Sequence, residues 1–354
     1  MCPKIIKLLA VLYSNMKAKV KWNGLFSSTF QILNGIKQGG VISPLLFTLY
    51  VDILIERVIG SQLGCYVGDK CSSIFLYADD IILLSPSRTA LSRMLQICEQ
   101  FGKEYGLSFN PDKCEVIKFG NWNSNLNLKL DDKIIKEVNS VKHLGHTIKN
   151  SRNICDVSDI ITDIKVRTNV ILSQFKHLSL KSKIQIFNSN CTSYYGGCLC
   201  SLESGGFNDL NVAWRVSVRR ILGVDRRTHC NLLPYLMNRN PPSAEISMRM
   251  VNFFKKNINS CHEGIKFYFE NCLINKTSTM FCNLKIISQC CNTNVESLLQ
   301  MSQREIESYL CPNNIELKRK TDFIIELLLV KEGNLFINLD EFDYISLLYV
   351  LCTR

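Results

Sequence analysis

The first 51 residues contain no aspartate or glutamate, against six lysines: Lys4, Lys7, Lys17, Lys19, Lys21 and Lys37. No carboxylate ligand or carboxylate base can come from this stretch, and its single sign of charge suits a phosphate-rich partner. Long apolar runs are also missing. A bilayer span needs roughly 18 apolar residues in a row, and the longest candidate, Leu45 to Gly60, is broken by Asp52 and Glu56. Lys7 interrupts the short apolar run at the start and no small-residue cleavage site follows it, so no signal peptide is read. The expected setting is intracellular, nuclear or cytoplasmic, away from membranes. Cysteine and histidine never fall into the short paired spacing of a structural zinc site. Cys261-His262, Cys272, Cys282 and Cys290-Cys291 are too scattered, and His143 and His146 have no paired cysteines nearby. Internal repeats and low-complexity tracts are absent as well.

What remains is an ordinary globular composition, 46% apolar and 21% charged, over 354 residues. That length allows two or three domains with cores of their own. The 17 cysteines are an odd number, and several, such as Cys98 and Cys282, sit inside apolar periodic stretches. Buried reduced thiols are the expected state rather than a disulfide framework. The net charge is +11, and a second basic concentration lies at 213–256, with nine Lys or Arg against two acids. Read alone, each of these charges is equally a solvated helix face.

The periodicity predicts a helix over 3–16, then strands at 19–22 and 29–33 joined through Asn23-Gly24, a hairpin-turn pair. A glycine-flanked loop, Gly35-Ile36-Lys37-Gln38-Gly39-Gly40, leads to a helix with Ser43 as N-cap and Pro44 in its first turn. Residues 73–84 read as a hairpin whose nearly all-apolar arms predict burial on both faces. Leu91, Met94, Leu95, Cys98, Phe101 and Tyr105 recur at helical spacing up to Gly106, a stop signal. Strands are expected at 107–109, 115–119 and 141–148. From about 155 the pattern is helical, with a break at Pro241-Pro242. The fold class is therefore α+β followed by a helical region, with divisions near 150 and 240.

The tip of the 73–84 hairpin reads Tyr77-Ala78-Asp79-Asp80. Adjacent carboxylates disfavour joint ionisation wherever they are even partly buried. A hard divalent cation such as Mg²⁺ would relieve that repulsion, and carboxylate-bridged metal pairs recur in phosphoryl transfer. Taken alone, a polar turn facing solvent is the simpler reading. The turn is not alone, however. Gly35–Phe47 lies upstream, Asn110-Pro111-Asp112-Lys113 downstream, and Lys142-His143-Leu144-Gly145 further on. In order and spacing this set resembles the palm of reverse transcriptases, and Lys183–Leu202 with Trp214–Leu236 resembles the helical region of LINE-type, non-LTR retrotransposon members.

The resemblance implies an RNA-directed DNA polymerase: a partial palm over 1–150, an antiparallel sheet with packed helices, then a thumb-like 151–240 and a helical C-terminal region, 241–354. Asp79 and Asp80 would bind Mg²⁺, two ions in the intact family, with Asp79 bridging both. Tyr77, Gln38, Gly39 and Gly40 would line the nucleotide and template side. Lys113 would be the general acid toward pyrophosphate; a solvated turn lysine is the other reading. Residues 142–148 would grip the primer end. Arg215 and Arg219, beside the stripe Trp214, Val218, Ile221 and Leu222, would touch phosphates, unless they are simply solvated. The partners implied are an RNA template and a DNA primer. The family also needs a third carboxylate on a strand before the glycine-flanked loop, where this chain has none. The expectation is therefore an N-terminally truncated chain with weakened metal binding and little or no activity of its own. A non-catalytic nucleic-acid-binding relic is the alternative. A group II intron maturase is the lesser one, because such proteins carry Pro-Gln-Gly where this chain has Lys37-Gln38-Gly39.

Overall fold

A computed structural model describes residues 2–14, 16–32, 35, 39–120, 125–150 and 157–311. These form two compact units. One runs to Cys114 and takes in Leu126–Ile135; the other comprises the rest, from Glu115 onward. The divisions expected at 150 and 240 belong to a different scheme, and residues 151–156 lie outside the described residues.

The first unit opens with α1 (Pro3–Ser14) and the strands β1 (Lys17–Ala18), β2 (Lys21–Trp22), β3 (Leu25–Phe26) and β4 (Phe30–Gln31). Asn23 and Gly24 both take positive φ, +47° and +81°, between β2 and β3, as the pair predicts. Then come α2 (Ser43–Gly60), β5 (Tyr66–Val67), β6 (Lys70–Cys71), β7 (Ile74–Tyr77), β8 (Asp80–Leu83) and α3 (Arg88–Tyr105). Ser43 is the first helical residue of α2 rather than its cap. Ile42 holds the cap position without a side-chain bond, and the Ser43 hydroxyl lies 3.2 Å from that of Tyr13. Helix α3 starts where the Ser87 hydroxyl accepts from the Ala90 amide and ends on Gly106 in the left-handed region, φ +65°.

The core of this unit joins Leu54 and Val58 of α2, Ile74 of β7, and Met94, Cys98 and Phe101 of α3. Leu76, Ile81 and Leu83 pack against it from the hairpin. Gly102 is required by crowding: a Cβ there would stand 2.6 Å from the Leu107 carbonyl oxygen. Burial pushes the Cys98 thiol up to about 12. Residues 107–109 are not a strand. The Leu107 amide closes back onto Gly102 O, and Asn110 already begins a 3₁₀ turn at Pro111–Lys113, so these residues are the exit of α3.

Beyond that turn the chain forms β9 (Glu115–Ile117), β10 (Lys129–Leu130), β11 (Lys133–Ile134), β12 (Lys136–Val138), β13 (Ser140–His143) and β14 (His146–Lys149). The pair β10–β11 belongs to the first unit, held by Glu99 accepting from the Asp131 amide and by Lys133 on Asp112. In the second unit β9 runs parallel to β12, and β13 pairs antiparallel with β14.

Among the described residues the strands form seven two-stranded pairs, six antiparallel and one parallel, not one palm sheet. Strands of two to four residues offer too little edge to recruit a third. The 73–84 hairpin is consequently covered on one face, not two. Phe75 and Tyr77, on the other face, are 45% and 66% exposed.

The helical part of the second unit comprises α4 (Ser158–Gln174), α5 (Leu180–Asn190), α6 (Gly206–Leu222), α7 (Leu233–Leu236), α8 (Pro242–Ile258), α9 (Glu263–Ile274), α10 (Thr279–Cys290), α11 (Val295–Gln300) and α12 (Gln303–Leu310). The stripe Trp214, Val218, Ile221 and Leu222 of α6 is buried against Ile171 of α4, Phe187 of α5 and Leu233 of α7. A second core gathers Phe207, Leu210, Ile246, Met250, Phe254, Leu284 and Ile306. No helix among the described residues is long and apolar enough to cross a membrane.

Candidate nucleotidyl-transfer site

The acidic turn closes β7 on β8 with Tyr77 facing Asp80, leaving Ala78 and Asp79 as the two turn residues. Ala78 has φ +54°, a left-handed value that costs a non-glycine residue on the order of 1 kcal/mol. Strand alternation then sorts the hairpin. Ile74, Leu76, Ile81 and Leu83 pack on the core, while Phe75, Tyr77 and Asp80 share the open face. Asp79 and Asp80 are both exposed. The repulsion expected from burying them is therefore screened by water, and burial gives no reason for a cation.

The donor set can still be compared with Mg²⁺. Adjacent carboxylates supply the hard oxygen ligands that Mg²⁺ takes, and that ion commonly uses one or two of them together with waters and substrate phosphates. Its donors fit one such ion. They fall short of a two-ion cradle: among the described residues no three His, Cys, Asp or Glu side chains come together as a metal-holding group.

The other expected site residues are placed as follows. Gly39 has φ +78°, and a Cβ there would meet nothing within 4 Å, so glycine serves the backbone turn rather than a tight approach. The Gly40 carbonyl accepts from the Ser43 amide at the start of α2. Gln38 lies outside the described residues. Lys113 is exposed on the 3₁₀ turn that Asn110 caps by accepting from the Asp112 amide at 3.0 Å. The Asn-Pro-Asp-Lys order thus has a local cause: a capping amide, a ring-fixed φ and a short turn that sets the lysine outward.

Arg215 and Arg219, in the second unit, are brought together, but over a thiol. Arg219 donates twice to the Thr228 carbonyl, at 2.9 and 3.3 Å, and to Cys230 Sγ at 3.3 Å, while Arg215 donates to the same sulfur at 3.7 Å. Burial would raise the Cys230 thiol. The hydrogen bonds and charges of Arg219 and Arg215 outweigh it and hold the thiol below its ordinary value. Arg219 is thereby committed to clamping the loop after α6.

Much of the basic run 213–256 is spent in the same way. Arg239 pairs with Glu245 at 2.7 Å, Arg249 joins both Glu245 and the Ser193 carbonyl, and Lys255 donates to the Met301 carbonyl. Arg220, Arg226, Arg227 and Lys256 stay exposed. Arg220 lines a groove of about 660 Å³ between α4 and α6, with Lys165 and Asn169 opposite it. Sequence reading passed over Lys165 and Arg220. The usable signal was their position next to a buried residue, Lys165 after Ile164 and Arg220 before Ile221, about 100° round the helix from each.

Comparison with known proteins agrees with the motif order. Residues 2–148 match the family described as reverse transcriptase (RNA-dependent DNA polymerase). The chain is 33% identical over 105 residues to the Pol polyprotein of the type-2 retrotransposable element R2DM of Drosophila melanogaster, covering 30% of this chain and 10% of that protein. It is 28% identical over 138 residues to the R2 polyprotein of Popillia japonica, covering 36% and 23%. The RNA-directed DNA polymerase of the mobile element jockey of Drosophila funebris matches at 23% over 245 residues, 66% of this chain and 24% of that protein. The chain thus spans a quarter or less of these relatives' length. The jockey match reaches past residue 148 in extent, so the likeness is not confined to the acidic turn and its neighbours. Residues 2–148 are thus similar to reverse transcriptases, and the curated relatives that the chain matches are proteins of retrotransposable and mobile elements.

Proposed function

We propose that the chain is part of an RNA-directed DNA polymerase, with a palm segment over 1–150, a thumb-like segment over 151–240 and a C-terminal region over 241–354, helical as far as 310 and with 312–354 outside the described residues. The observation that carries the reading is the Tyr77–Asp80 turn, on the open face of a core-anchored hairpin, inside the segment matched to reverse transcriptases. Asp79 and Asp80 would hold magnesium, with Asp79 the principal ligand. Bound there, the ion would neutralise charge that develops on the phosphates. Tyr77 lies against the growing duplex. Gly39, Gly40 and Gln38 face template and nucleotide, and Lys113 supplies a proton to the departing pyrophosphate. RNA template and DNA primer are the partners. Exposed Arg220 and Lys165 are better placed than Arg219 for phosphate contact, since Arg219 is already engaged.

A second reading is favoured by one observation: two adjacent carboxylates stand where the family uses three. These 354 residues by themselves then bind template and primer without extending it. Primer extension on an RNA template with magnesium separates the two readings. The expected result is no detectable product, together with hybrid binding that weakens as salt rises, each neutralised phosphate adding about 0.9 to the log–log slope on a B-form duplex. Clear extension that Asp79→Ala abolishes would overturn the inactive reading. Absence of both extension and salt-dependent binding would overturn the nucleic-acid assignment itself.

A further inference from the structure

The β13–β14 hairpin turns through Leu144 and Gly145, with φ +47° and +79°. Glycine adopts such values freely and leucine rarely does. A strained leucine in a two-residue turn persists only where its surroundings hold it.

Tyr195, which follows α5, supplies that hold. Its hydroxyl donates to the Leu144 carbonyl at 3.0 Å. Its ring stacks on the His146 imidazole, with centroids 4.3 Å apart and planes 17° from parallel. The same ring stands 3.3 Å from the place a Cβ on Gly145 would take. The next residue, Gly196, lets the backbone approach closely, since a Cβ there would meet His146 Nδ1 at 2.3 Å. A second tie runs from the Thr147 hydroxyl to Asp159 of α4, at 2.9 Å. Burial and then the neighbouring His143 lower His146 from its ordinary value, which favours the neutral ring in the stack. All these groups lie within the second unit.

Tyr195 is nevertheless 63% exposed. A side chain this open contributes little to a core, yet its hydroxyl and ring both engage the hairpin. We infer that Tyr195 is the positioning residue of the 140–149 hairpin, holding the Leu144–Gly145 turn in the one shape in which it meets a primer–template duplex. This inference rests on the reading of the hairpin as a duplex contact. It goes beyond that reading by naming the residue that pre-organises it.

The full chain carrying Tyr195→Ala or Tyr195→Phe tests the role by amide hydrogen exchange at 140–149 and by affinity for an RNA–DNA hybrid with a recessed primer. A ring contact and a hydrogen bond together are worth about a factor of ten. Tyr195→Ala is expected to speed hairpin exchange about tenfold and to weaken hybrid binding by up to about the same factor, since affinity scales with the fraction in the competent shape. The thermal midpoint of the second unit should fall by only a few degrees. Tyr195→Phe, which keeps the stack, should restore most of both. Unchanged exchange in Tyr195→Ala overturns the inference, as does faster exchange with unchanged hybrid affinity. A wild-type chain that binds no hybrid overturns the functional reading instead, and the exchange measurement, which needs no ligand, tells the two failures apart.

Discussion

The two compact units spend their apolar residues differently. The second unit folds long amphipathic helices face to face, and its stripes disappear into two cores around Trp214 and around Phe254. Among the described residues the first has one core, built on Leu54, Val58, Met94 and Phe101. It leaves Ile5, Leu8, Val11, Trp22, Leu25, Phe26 and Phe75 between 45% and 77% exposed. The cause is geometric. A helix of 17 residues such as α6 can bury a whole stripe by itself. Two-residue strands cannot cover a sheet face, and an isolated pair of strands is marginal in water. The candidate chemistry lies on the less well covered unit, while the two larger cores lie in the other.

That contrast can be broken by core truncation. Phe101 and Trp214 are 0% and 1% exposed. Either change to Ala removes about 3–5 kcal/mol. With one core among its described residues, the first unit of Phe101→Ala should lose a large share of its stability, because domains carry only about 5–15 kcal/mol in all. The Trp214→Ala chain keeps its second core and should stay folded. Urea unfolding read by hydrogen exchange, peptide by peptide, gives the comparison. One coincident transition for both units in the wild type would remove it.

A smaller effect is expected inside the second unit. Arg219→Ala breaks the charged hydrogen bonds to Thr228 O and should cost about 1.5–3 kcal/mol. It also releases Cys230. With the folded value lowered, the thiolate adds stability above the ordinary thiol range, and that contribution is lost as pH falls through the lowered value. Alkylation of Cys230 at neutral pH, followed by mass spectrometry, should therefore slow in Arg219→Ala. An unchanged rate would mean that the arginines do not govern the thiol.

The smallest effect belongs to the acidic turn. Ala78→Gly relieves the positive φ of +54° but frees the unfolded chain, so the net gain should stay below about 1 kcal/mol. A clear loss of stability on substitution would mean that the Ala78 methyl makes a contact the turn depends on.

Legibility in the sequence followed the range of the interactions. Helix α3 runs from Arg88 to Tyr105 as its spacing predicts, because cap, stripe and stop glycine all lie within one stretch of chain. The Asn23-Gly24 turn and the Tyr77–Asp80 hairpin are local in the same sense. The Ser43 cap was misread because Tyr13, 30 residues away, lies within hydrogen-bond distance of its hydroxyl. The parallel pairing of β9 with β12 had no local signal, since partners 21 residues apart share no turn. For the candidate site, the motif order marked Asp79, Asp80 and Lys113. It could not foresee that Arg219 turns inward to Thr228 or that Tyr195 lies over Leu144.

By itself the sequence determined the likeness to reverse transcriptases, the helices and the acidic turn, because each is written in residues near one another along the chain. The tertiary structure decided which charges remain outside and which hold the protein together. Arg215, Arg219, Arg239 and Arg249 read as one basic run, yet all four have partners within the fold. A guanidinium goes where unpaired carbonyls and carboxylates need donors, and that depends on how the helices pack.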